Sequence, residues 1–255
     1  MIKTGNEMES WIVDPATGNP RPPVDQPGYY PGFHTMGQRK FWDDHTRRVI
    51  ENRVYNIPPI RFFNELELIV MTAVADRILP QDDRTPPFRI PIVNAIDERL
   101  HENKIDGYQF EDMPSDREAY RLGLATINQM AEEHYAKPFA DLKPMQQDGI
   151  LKSLQQGKPQ GALETWKRMP VERFWHMLVQ DCVDAYYSHP WAWDEIGFGG
   201  PAYPRAYTRL ENGVPEPWEV DEKRYRWDAP ADSLSDVYEQ LPTEHQSVSG
   251  QGGTH

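Results

Sequence analysis

The chain has one cysteine, Cys182, in 255 residues. A single thiol closes no internal disulfide and supplies neither a cysteine-ligated zinc site nor an iron–sulfur cluster. Cys-x-x-Cys-His is absent as well, which excludes a covalently attached c-type haem. Long apolar runs are missing. The longest, residues 69–75, is interrupted by Thr72, whereas a bilayer-spanning helix needs about 20 such residues, so no membrane insertion is expected. Positive charge is scarce: 27 Lys and Arg stand against 40 Asp and Glu, a net charge of -13. That balance argues against nucleic acid and anionic membrane surfaces, which select for basic residues.

Catalytic signatures are equally sparse. The eight histidines (34, 45, 101, 134, 176, 189, 245 and 255) are never three to five apart, so no helix presents a His pair to a metal. There is no Gly-x-Ser-x-Gly elbow and no Gly-x-x-x-x-Gly-Lys phosphate loop. Gly197-Phe198-Gly199-Gly200 lacks both the spacing and the preceding strand of a dinucleotide fingerprint. Asp82 and Asp83 are not followed by a glycine-punctuated calcium loop. Asp181 and Asp184, three apart, lie off the apolar stripe of their helix and read as a solvated face. Cys182 lies on that stripe and reads as an inert core residue. No catalytic, cofactor-binding or metal-binding residue is assigned to this chain. The first ten residues have no apolar core or cleavage site, and Arg47-Arg48 precedes no apolar stretch, so no export signal is expected.

Strict two-residue alternation flanked by hairpin turns is absent too, so strands should be few or none. What the chain has instead is helical periodicity. Val171, Phe174, Trp175, Leu178, Val179, Cys182 and Tyr186 form one wide stripe, entered at Pro170 and closed where Pro190 drives His189 out of helical space. Asn64-x-x-Glu67 and Ser115-x-x-Glu118 are capping boxes. The first opens a helix with Leu66, Ile69, Val70, Ala73, Val74 and Ile78 facing inward. The second opens a long helix with Tyr120, Leu124, Ile127, Ala131 and Tyr135, ended by Pro138. A helix from Pro91 should bury Ile92, Val93, Ile96 and Leu100 and leave at Gly107. Another, from Pro144 to a glycine C-cap at Gly157, carries Ile150, Leu151 and Leu154. Five amphipathic helices with short connections make an all-α fold, an irregular helical bundle.

The flanks differ in character. Residues 1–60 are dense in Pro, Gly and Asn yet punctuated by Tyr29, Tyr30, Phe33, Phe41 and Trp42. They read as an extended arm laid across a surface, with one short helix over 42–53. Residues 61–210 make up the helical domain. Residues 211–255 form an acidic tail, with ten Asp or Glu against three Lys or Arg after position 210. Between the last helix and the tail, residues 191–207 hold Trp191, Trp193, Phe198, Tyr203 and Tyr207 in aperiodic, glycine- and proline-rich sequence. Such rings stack on sugars, dominate protein–protein contacts, or fold back as a satellite core. Gly199-Gly200-Pro201 suits a rigid protruding loop.

Tyr-Tyr-Ser-His-Pro-Trp-Ala-Trp-Asp-Glu-Ile-Gly-Phe-Gly-Gly-Pro-Ala-Tyr-Pro-Arg-Ala-Tyr (186–207), with Val-Ala-Asp-Arg-Ile-Leu-Pro-Gln-Asp-Asp-Arg (74–84) upstream, resembles the gluconate 2-dehydrogenase subunit 3 family. The resemblance implies a non-catalytic small subunit without a redox group of its own. Its partner would be a large flavoprotein of the glucose–methanol–choline type that carries FAD and oxidises a sugar hydroxyl, often passing electrons to a c-type cytochrome. The family's small subunits support maturation or export of that partner. Lacking an export signal, this chain would stay in the cytoplasm or leave with a partner that has one. Candidate interface residues are His189, Trp191, Trp193, Phe198, Gly199, Gly200, Pro201, Tyr203 and Tyr207, with Tyr30 and Phe33 of the arm. A stand-alone carbohydrate-binding or carbohydrate-processing protein using the 191–207 aromatics is the alternative.

Overall fold

In the computed structural model the described residues are 12–21, 34–105, 107 and 110–201. They form an all-α bundle. After a 3-10 helix at Thr35–Phe41 come α1 (Asp44–Tyr55), α2 (Glu65–Ile78), α3 (Ile92–His101), α4 (Asp116–Tyr135), α5 (Pro144–Gln155), the single turn α6 (Leu163–Trp166), α7 (Val171–Tyr187) and α8 (Pro190–Ile196). Two isolated bridges, Ile12 with Arg84 and Val13 with Pro20, are the β pairings among the described residues.

Local sequence sets most of the helix ends. Both capping boxes form. Asn64 Oδ1 accepts from Glu67 N at 2.9 Å while Glu67 Oε2 accepts from Asn64 N at 2.9 Å, and Ser115 and Glu118 repeat the arrangement. Gly157, at φ 65°, closes α5 as expected of a glycine one residue past the C-cap. α3 ends earlier than the sequence suggested. Asn103, at φ 53°, supplies the left-handed turn, and Lys104 N returns to the Arg99 carbonyl at 3.0 Å. Asparagine tolerates that conformation well enough to pre-empt Gly107. α1 starts at Asp44 rather than at residue 42, because Asp43 Oδ1 accepts from His45 N and Thr46 N and caps it there.

α7 packs against α3 and α5, and α2 against α3, α4 and α5. Phe174, Leu178 and Cys182 of the α7 stripe are fully buried. Burial pushes the Cys182 thiol up to about 12, with the Asp181 charge adding to it, so the thiol stays protonated and unreactive. The α2 stripe is rotated from the expected one. Val70, Met71, Val74 and Ala75 are buried, while Leu66 is 58% and Ile69 48% exposed. Neighbours on three sides of α2 define its inner face, and Met71 and Ala75 turn to meet them. Tyr135, in the last turn of α4, is likewise on the outside.

At Gly123 the α4 backbone meets the Phe174 ring of α7. A Cβ at that position would lie 2.1 Å from Phe174 Cζ and 2.3 Å from its Cε2, and the ring is completely enclosed. Gly123→Ala should therefore destabilise the fold by about 2–3 kcal/mol, the usual scale of overpacking. Urea denaturation would measure this. The double variant with Phe174→Leu should lose less than the sum of the two single losses.

The arm is partly folded onto the body. Ile12 is buried, Val13 N donates to the Asp83 carbonyl at 2.8 Å, and Arg21 N donates back to Ile12. Trp42 and Ile50 are buried with Trp193 in a small hydrophobic cluster separate from the main core.

Candidate partner-binding face

The corner between α7 and α8 is built from the residues that made the sequence distinctive. Ser188 caps α7, and His189 turns to extended backbone (φ -92°, ψ 136°) to cap α8, with Pro190 as the first helical residue. His189 Nδ1 accepts from Trp191 N at 3.3 Å. The imidazole is buried, and burial, reinforced by the Arg84 charge, lowers its pKa to about 3. It is therefore a neutral, backbone-bonded cap that locks the turn.

Under α8 lies a buried charge network. The Arg84 side chain is fully enclosed and pairs with Glu195, with further contacts to the carbonyls of Phe88 and Trp191. Tyr186 OH donates to the other Glu195 oxygen at 2.7 Å. Burial, with Glu195 beside it, pushes the Tyr186 phenol well above its usual range. A chain segment from before α3, the end of α7 and α8 thus share one ion pair. Asp194 projects from α8 toward the arm and accepts from both Thr35 N and Thr35 Oγ1 at 2.7 Å.

The aromatics divide between inside and outside. Residues 190–196 are helical, which corrects the expectation of wholly irregular chain: the proline at the first position and the His189 cap suffice to start α8 despite its lack of periodicity. Trp193 is only 7% exposed, and its indole N–H donates to the Tyr187 carbonyl. Trp191 packs on His189 at 4.6 Å and on Phe88 at 5.6 Å between ring centres. Gly197, at φ 70°, ends α8. Gly200, at φ 82°, is also buried, because Thr35 and Trp42 press on it. Phe198 stands edge-on to Trp193 at 5.4 Å and is 47% exposed, and Ile196 is 58% exposed.

Of the residues expected to meet a partner, His189, Trp193 and Gly200 are thus enclosed by this chain itself, and Trp191, Gly199 and Pro201 are half-buried. Phe198 points outward. Tyr30, Phe33, Tyr203 and Tyr207 lie outside the described residues.

The reading of Asp181 as a solvated carboxylate is corrected. It accepts from Arg99 Nη2 and from Tyr120 OH, each at 2.5 Å. Arg99 also holds Asp116 at 2.6 Å, so one guanidinium ties α3, α4 and α7. Burial raises the Asp181 carboxyl by more than Arg99 and Tyr120 pull it down. Asp184 stays outside and accepts from Gln180. No group of three or more His, Cys, Asp or Glu suited to an ion occurs among the described residues. No helix among them is long and apolar enough to cross a membrane.

The family model for gluconate 2-dehydrogenase subunit 3 matches residues 65–200, more than half of the chain. The protein belongs to the gluconate 2-dehydrogenase subunit 3 family. The match runs from the first residue of α2 to Gly200, so the corner just described lies at the end of the matched span. No curated protein and no solved structure gives a significant match to the chain. The family's description is that of a subunit, which places its members in a hetero-oligomer.

Proposed function

We propose that the chain is the non-catalytic small subunit of a sugar-oxidising flavoenzyme, and that it binds and stabilises a large FAD-carrying subunit of the glucose–methanol–choline type. Membership of the subunit 3 family carries this reading. The geometry of the α7–α8 corner supports it. The ion pair, the histidine cap and Trp193 are committed to holding α8 in place, and the large hydrophobic side chains of the corner left facing outward are Tyr187, Ile196 and Phe198. A rigid base under an exposed aromatic is the usual anatomy of a protein–protein hot spot. FAD would sit in the partner, with a c-type cytochrome as the acceptor of its electrons, and the small subunit would aid maturation or export of the complex.

Co-expression with an FAD-carrying flavoprotein of the glucose–methanol–choline type from the same organism provides the test. The expected result is a stoichiometric complex on size exclusion, which the double variant Ile196→Asp, Phe198→Asp weakens at least tenfold while the helical circular dichroism of the free chain is unchanged. A free chain that binds a simple glycoside in calorimetry and ignores the flavoprotein would overturn the reading in favour of a carbohydrate-binding protein.

A further inference from the structure

Residues 35–56 are attached differently from the rest of the fold. α1 buries Ile50 alone among its residues. The 3-10 helix and α1 both pack chiefly on α8, through the satellite cluster of Trp42, Ile50 and Trp193 with Met36 at its margin. Polar ties join this segment to the α7–α8 corner. Thr35 donates twice to Asp194 and, at 3.4 Å, shares its hydroxyl with the Phe198 carbonyl. Arg53 donates to the Ser188 carbonyl at 2.7 Å, with its guanidinium 5.9 Å from the Trp193 ring centre. On either side the chain is fastened to the body independently, by Ile12 on Arg84 and by residues 61–63 on Asp97.

The seat is also where buried polar groups go unpaired. Asp194 Oδ2, Gln38 Oε1 and Trp42 Nε1 are all enclosed without a hydrogen-bond partner. Gln38 is one 3-10 turn from Thr35 and so lies on the same face. Unpaired buried groups recover hydrogen bonds once water reaches them, so each lowers the cost of lifting this segment. α8 itself is held from the other side by Arg84, Tyr186 and the main-core residue Ala192.

We infer that residues 35–56 form a releasable strap, clasped to α8 by the Asp194–Thr35 contact, which lifts as a unit while the helical body stays folded and so uncovers Trp193 and Gly200. The strap's release does not depend on the identity of the partner. Titration of the clasp sets its direction with pH. Burial pushes the Asp194 carboxyl up to about 6, Glu195 adds to this, and Thr35 and Arg84 oppose it. Closed, the carboxyl holds its proton more tightly than it would when lifted into water. Closure is therefore favoured in acid, and that gain is lost as pH rises through about 6, by up to roughly a hundredfold in the opening equilibrium. Just before the strap, His34 is lowered by burial and by Arg39; under α8, His189 is lowered too. Any exposure of these rings on opening acts in the opposite sense, and Arg53 keeps its charge throughout.

Hydrogen exchange of the full chain, followed by mass spectrometry at pH 5 and pH 7.5 and corrected for intrinsic rates, tests the strap. Amides of α1 should exchange ahead of those in α4 and α7, and their protection should fall at least tenfold between the two pH values. Asp194→Asn should flatten or reverse that pH dependence. Thr35→Val should raise strap exchange at both pH values, and Ile50→Ala should do so while α4 and α7 remain protected. The inference is overturned if α1 exchanges only together with α4 and α7, or if Asp194→Asn leaves the pH dependence as it was.

Discussion

Replacing Asp97 by alanine should cost about 3–5 kcal/mol, enough to unfold a domain of ordinary stability at moderate urea. Asp97 sits on the inner face of α3 and is completely buried. Its two oxygens accept from three successive backbone N–H groups, Arg61 at 2.7 Å and Phe62 and Phe63 at 2.9 Å each. Those groups lie just before the α2 cap, where the chain bends to bury two rings. Removing the carboxylate leaves at least two enclosed N–H groups unpaired, each worth roughly 1–3 kcal/mol. Asp97→Asn keeps one accepting oxygen and turns a donor toward the other N–H groups, so its loss should fall between wild type and alanine. Urea unfolding followed by circular dichroism separates the three. Equal stability of Asp97→Ala and wild type would mean that water takes over the site.

The second large effect belongs to Arg99. Arg99→Ala removes the cation that holds Asp181 and Asp116, and breaking a buried pair from one side costs about 3–5 kcal/mol. The loss should depend on pH. Asp181 already titrates above its ordinary value because burial outweighs the Arg99 charge, and without Arg99 it titrates higher still. A folded-state pKa above the unfolded one gives stability that is present in acid and lost as pH rises through the folded value. The deficit of the variant should therefore be greatest near pH 7.5 and shrink as the pH falls toward the carboxyl's raised titration. Unfolding free energies at pH 7.5 and pH 5 provide the check; a deficit independent of pH would show that Asp181 is not the group left stranded.

Much of this architecture was legible in the residues. The capping boxes at Asn64 and Ser115, the glycine exit at Gly157 and the stripe of α7 are local patterns, each decided by neighbours within one or two turns. The break at His189 was legible for the same reason, since Pro190 constrains its backbone directly. What the sequence hid depends on distant partners. Leu66 and Ile69 belong to an apolar pattern as good as any, and only the packing of α3, α4 and α5 around α2 shows that they point away. Asp181 follows a solvated pattern along its own helix, but Arg99 is 82 residues earlier and Tyr120 is 61. Asp97 did carry a faint sign, a charge set among Ile92, Ile96 and Leu100 on a buried face. The split of the aromatics into Trp193 within and Phe198 without turned on α8 being helical, which a seven-residue segment is too short to announce.

The missing side chain at Gly123 has a mechanical consequence. With the Phe174 ring lodged against bare backbone, α7 is set in register with α4, because a shift along it would bring the ring against a neighbouring side chain instead of the notch. Because Tyr186 of α7 bonds Glu195 of α8, a pull applied at the α8 end would be carried along α7 toward that notch. A protein gripping that end would be holding the whole body, not a mobile extremity.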